Sequence, residues 1–135
     1  MSENNVKVIQ SIYEAFGKGD VPAILERVTD DTCWGFSGAQ PSIVPWHKTA
    51  SGKEGVGEFI GSFVSSIELS AFEPREFIAS GDSVIAHIHL TYTVNSTKRP
   101  VDEEQLHWWK LNGEGKVTSL LHFEDTRQVV EACKS

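Results

Sequence analysis

Basic residues are scarce in this sequence: 12 Lys and Arg stand against 19 Asp and Glu, a formal net charge of −7, and no cluster gathers the cations into a patch. Such a balance repels phosphate backbones and anionic lipid, so neither a nucleic acid nor a membrane surface is an expected partner. Cysteine is scarcer still. Cys33 and Cys133 form no metal-type spacing and no disulfide framework, so no metal and no other cofactor is expected. No apolar run approaches the ~18–20 residues that span a bilayer. The opening MSENNVKVIQ has no charged segment followed by an apolar one, and the expectation is a reduced, cytoplasmic setting. Repeats, linkers and low-complexity stretches are also missing, so residues 1–135 read as one domain with one core.

Aromatic side chains are what the sequence does have. Four Trp and seven Phe are enough to line a pocket as well as to fill a core. Val6, Ile9, Tyr13 and Phe16 recur at helical spacing over residues 5–17, which Gly17 and Gly19 close. Asp20 reads as an N-cap, with Pro22 in the first turn that follows. A short strand is expected over Thr32–Phe36, then a long aperiodic segment, residues 37–52, that suits a rim or lid. Ser51 and Glu54 make the S-x-x-E capping pattern. Beyond it Val56, Phe59, Ile60, Phe63, Val64 and Ile67 form one apolar stripe of a long helix.

From residue 68 the period changes to two. LSAFEPREFIA, SVIAHIHLTYTV, EEQLHWWKL and KVTSLLHFED read as four strands, with tight turns at SGD and NGEG and a helical tail after residue 125. Helices, a strand, a helix and then a run of antiparallel strands spell an α+β fold, a curved sheet around a long helix with an apolar mouth.

The last hairpin can be registered by counting. With Gly113 and Glu114 as the turn centre, His107 faces Leu120 and Gln105 faces His122. His107, Trp109, Leu120, His122 and Glu124 then share one face, with the two histidines as diagonal neighbours about 7–8 Å apart. Leu106, Trp108, Val117, Leu121, Phe123 and Asp125 share the other. Counting leaves open which face lines the cavity, because the second is the more apolar and a bulge would exchange faces on one strand.

Four stretches resemble a known family: IYEAFGKGDVPAILERVTDDTCW at 12–34, SGKEGVGEFI at 51–60, EFIASGDSVIA at 76–86 and HWWKLNGEGKVTSLLHFEDT at 107–126. Together they resemble the SnoaL-like and ketosteroid-isomerase-related proteins of the nuclear transport factor 2-like superfamily. That resemblance implies a cone of antiparallel sheet wrapped around the N-terminal helices and one long helix, a homodimer formed through the sheet, and the histidine face turned inward. It also implies that the isomerase's own catalytic set is not kept. The base position falls at Phe36, the oxyanion-hole acid at His107, and the helix tyrosine at Ile12, beside Tyr13. A steroid isomerase mechanism is therefore not expected. Asp125 falls at the family's recurrent acidic place, as catalyst or as structural anchor.

The candidate catalytic residues are His107, His122 and Asp125, imidazole being the group that titrates near neutrality. Asp125 is also well placed to cap the C-terminal helix. The candidate substrate-binding residues are Tyr13, Trp34, Phe36, Trp46, Phe59, Phe63, Trp109, Leu120 and Glu124, with Tyr13 better suited to a core position that ties up its hydroxyl. His47 reads as a solvated loop histidine, and His87 and His89 as an interface or solvent pair. The expected ligand is a small apolar carbonyl or polyketide-like compound. It would be isomerised, cyclised or dehydrated without a cofactor, or else simply bound.

Overall fold

The computed structural model describes residues 2–134. Its elements are α1 (Ser2–Gly17), α2 (Val21–Leu25), β1 (Val28–Phe36), β2 (Ala50–Ser51), α3 (Gly52–Ser66), β3 (Ile67–Ser80), β4 (Ser83–Val94), β5 (Pro100–Leu111), β6 (Val117–Phe123) and α4 (Thr126–Cys133). The six strands form one open sheet in the order β2-β1-β6-β5-β4-β3. The α+β class is as expected, but the sheet is mixed: β1 runs parallel to β6, and every other pairing is antiparallel.

Strict alternation builds the inner face. Along β4 and β5 every second residue is buried, from Val84 to Val94 and from Val101 to Leu111. α1 and α3 pack across that face through Ile9, Ile12, Val56 and Ile60, each at most 6% exposed. Val64, expected on the apolar stripe of α3, is 47% exposed. β3 is an edge strand, so Pro74, which has no N–H to give, interrupts nothing beyond it. Two irregularities, at Leu69/Ala71 and Pro74/Glu76, bend this strand.

The helix starts follow two of the three expected caps. Asp20 accepts from Ala23 N at 3.2 Å, and Asp125 accepts from Gln128 N at 3.2 Å. Ser51 does occupy the N-cap of α3, but its hydroxyl makes no capping bond. The corner there is shaped instead by Gly52 at φ +73°, where a Cβ would come within 3.2 Å of the Asp30 carbonyl oxygen.

The outer face of the sheet carries two kinds of side chain. Leu106, Trp108 and Phe123 lie exposed on β5 and β6. Beside them His87 pairs with Glu104, and His89 sits between Glu73 at 3.1 Å and Asp102 at 2.7 Å. His87 and His89 thus face outward, and they are engaged by carboxylates. Hydrogen bonds from Asp102 and Glu73 raise the pKa of His89 above the ordinary imidazole range.

Candidate functional site

The hairpin β5–β6 sets the site, and its register is not the counted one. Asn112 N donates to Lys116 O, so three residues close the turn, and the ladder slips once more between Lys110 and Leu111. The two one-residue displacements add to two, and a shift of two preserves the faces from Ser119 onward; Val117, expected on the Trp108 face, lies between the two slips opposite Leu111 and is buried on the inner face instead. His107 therefore lies directly opposite His122 rather than diagonal to it, with ring centroids 4.8 Å apart. The histidine face is the inner one. His107 and His122 are 5% and 6% exposed, whereas Leu106 and Trp108 on the other face are 46% and 37% exposed.

Behind the hairpin lies a cavity of about 70 Å³. Its wall contains His107, His122, Tyr13, Trp34, Phe36, Trp46, Phe59, Phe63, Trp109 and Leu120, which are the expected binding residues except Glu124, together with two of the three expected catalytic ones. α1, β1, the loop 37–49, α3 and the hairpin each contribute. No Lys, Arg, Asp or Glu lines the cavity among the described residues.

The polar end is a chain of hydrogen bonds whose directions follow from what each atom can do. Trp109 Nε1–H donates to the Tyr13 hydroxyl at 2.9 Å. The hydroxyl proton then goes to His107 Nδ1, 2.7 Å away. His107 is left with its proton on Nε2, which donates to Gln105 Oε1 at 2.7 Å. The Gln105 amide nitrogen faces two acceptors, Glu103 at 3.1 Å and Glu124 at 3.4 Å. Both nitrogens of His107 are thus occupied by the protein. Burial and the neighbouring His122 hold its pKa well below the ordinary imidazole value, and burial pushes the Tyr13 hydroxyl above the ordinary tyrosine range.

His122 differs. Parallel pairing of β1 with β6 sets it beside Phe36, on which its ring stacks at 4.3 Å between centroids. Nδ1–H donates to the Gly35 carbonyl at 2.9 Å, so the lone pair is on Nε2. That nitrogen has no hydrogen-bond partner among the described residues. Burial lowers the His122 pKa to about 4, against a smaller upward effect of the Gly35 bond. The ring is neutral at pH 7, with its basic atom free. A second unspent group is Trp34 Nε1–H, a donor without a partner that is buried away from the cavity surface.

Three expectations change. Asp125 does not reach the cavity: it is exposed, and its carboxylate is spent on Gln128 N and Nε2 at the start of α4. Glu124 is not on the wall either. Its carboxylate turns away to His47 Nε2, 2.5 Å distant, with both side chains fully enclosed. His47, expected in solvent, is 1% exposed and receives Gln40 N–H on Nδ1 at 3.0 Å. Sequence reading missed Gln105, Glu103 and Tyr92 altogether. Glu103 is buried; it accepts from Tyr92, Gln105 and the Asp125 backbone N–H. Burial and then the nearby Glu124 charge raise its pKa to about 7. The alternation VDEEQLHWW carried the only signal: Glu103 and Gln105 are in phase with His107.

Comparisons with known proteins agree with this architecture. An NTF2-like protein of Burkholderia xenovorans LB400 superposes with a TM-score of 0.88 at 25% identity, covering 99% of this chain and 98% of that one. An NTF2-like protein of unknown function from Burkholderia pseudomallei K96243 gives 0.86 at 25% identity, with both chains covered completely, 100% and 100%. TerC, co-crystallized with polyporic acid, gives 0.80 at 24% identity over 98% of this chain and 99% of its own. No curated protein matches the chain significantly. The model of the SnoaL-like domain matches residues 9–120, and the chain belongs to the SnoaL-like family, on an NTF2-like fold.

Proposed function

We propose that the cavity binds a small apolar carbonyl compound and that the protein carries out cofactor-free acid/base chemistry on it, of isomerase, cyclase or dehydratase type. The observation that supports this reading is His122. Its tautomer is fixed by Gly35, and Nε2 is the free imidazole nitrogen of a cavity walled mainly by aromatic and aliphatic side chains. A base with a pKa of about 4 is weak, so the proton it takes has to be among the more acidic carbon acids, such as one on a carbon flanked by two carbonyl groups. His122 Nε2 would take that proton and return it to another carbon or oxygen of the same compound. His107 positions Tyr13 and Gln105 and does not itself transfer the proton. TerC, which shares this fold, was co-crystallized with polyporic acid.

Non-catalytic binding is the rival reading. The weak basicity of His122 favours it, since the same lone pair orients a ligand without moving a proton. Deuterium exchange at the acidic carbon of a 1,3-diketone such as 1-phenylbutane-1,3-dione, followed by NMR, separates the two. The enzyme reading expects exchange faster than buffer alone, abolished in His122→Phe and retained in Asp125→Ala. Binding of the diketone with no acceleration by the wild type leaves the binder reading in its place.

A further inference from the structure

We propose that the cavity selects an uncharged ligand in an enol or phenol form, its hydroxyl donating to His122 Nε2, and that it rejects carboxylates. This rests on the ligand-pocket reading above and adds the ligand's functional group and charge. The argument is one of elimination over the cavity's polar atoms. Tyr13 gives its proton to His107, His107 gives its own to Gln105, and the Gln105 amide faces Glu103 and Glu124. None of these donors remains for a ligand. The polar atom of the cavity left without a partner among the described residues is the acceptor His122 Nε2. A ligand that satisfies it brings a hydroxyl into a mostly apolar cavity, as a phenol or an enolised 1,3-dicarbonyl does.

Charge decides the rest. No cationic side chain lines the cavity among the described residues, and both imidazoles are held neutral by burial. Two carboxylates stand directly behind Gln105. An anion entering this wall loses its water and finds no cation and no free donor opposite it, so its desolvation is left uncompensated. A neutral hydroxyl loses little and completes the His122 lone pair.

Four probes of one shape test the inference at pH 7: p-cresol, 4-methylanisole, toluene and the p-toluate anion. p-Cresol is neutral there, as a tyrosine side chain is with its pKa of ~10. Quenching of the emission of the cavity residues Trp34, Trp46 and Trp109 reports occupancy. The expected order has p-cresol about tenfold tighter than 4-methylanisole or toluene, with no saturable binding of p-toluate. In His122→Phe, p-cresol should fall to the level of toluene while toluene binding is kept. Equal binding of p-cresol, 4-methylanisole and toluene by the wild type overturns the ligand class and leaves the apolar pocket standing. Binding of p-toluate as tight as p-cresol overturns the charge argument. If none of the four binds, the pocket reading itself falls, and this inference with it. The wild-type series does not depend on the variant folding.

Discussion

At the scale of single residues, Tyr13 shows how a buried polar group can be structural in a cavity that looks chemical. Its hydroxyl is the one atom that both receives Trp109 Nε1–H and gives a proton to His107 Nδ1. Phenylalanine fills the same space without either bond. Tyr13→Phe therefore leaves a buried donor and a buried acceptor unpaired, at a cost of roughly 1–3 kcal/mol for each group. The expected outcome is a loss of about 2–4 kcal/mol in urea unfolding, with the slope of the transition unchanged. A loss under about 0.5 kcal/mol, the size of an ordinary surface substitution, would show that the chain of donors does not run through Tyr13. The variant also frees His107 Nδ1, so an added affinity for hydroxylic ligands would accompany the lost stability.

Elements show which parts of this were legible in the residues. Period-two alternation named the inner face of β4 and β5, and the parity of the hairpin put His107, Trp109 and His122 on one side even though the turn and the register were each miscounted by one. Parity survives such paired errors, whereas distances do not. The parallel partner of β6 was not legible, because β1 lies far away in sequence and no local pattern marks its direction. The loop 37–49 was not legible either. Hydrogen bonds that pin an aperiodic segment come from elsewhere in the chain, and His47 finds Glu124 from the end of β6. That pair gives the loop its place, with Trp46 carried onto the cavity wall beside it. His47→Ala removes one partner of a fully enclosed pair and leaves Glu124 buried without a counterpart, at about 3 kcal/mol or more. The expected result is that lost stability together with new protease cleavage confined to residues 37–49. Unchanged stability and an uncut loop would mean that Trp46 and Val44 anchor the segment without His47.

For the whole molecule, the buried titratable groups pull stability in opposite directions with pH. The folded pKa of His122 is lowered from 6.5 to about 4, and that of His107 is lowered as well. Between those values the unfolded chain binds a proton that the folded chain refuses, so stability falls as pH drops through this window, by on the order of 3 kcal/mol for His122. Glu103 has the opposite sign. Its folded pKa is raised from 4.5 to about 7, so the folded chain holds a proton that the unfolded chain has lost. Its contribution is full below pH 4.5 and disappears as pH rises through 7. Two imidazoles outweigh one carboxyl, and a net loss of stability toward acid is expected. Glu103→Gln removes only the opposing slope. Its absolute stability at any one pH also reflects the amide's altered hydrogen bonds, but that offset does not vary with pH. The readout is therefore the change between pH 7.5 and 4.5 in urea unfolding. The variant should lose on the order of 3 kcal/mol more than the wild type over that interval. Parallel curves for the two proteins would show that Glu103 does not change protonation on folding, and that the acid behind Gln105 is a fixed charge throughout.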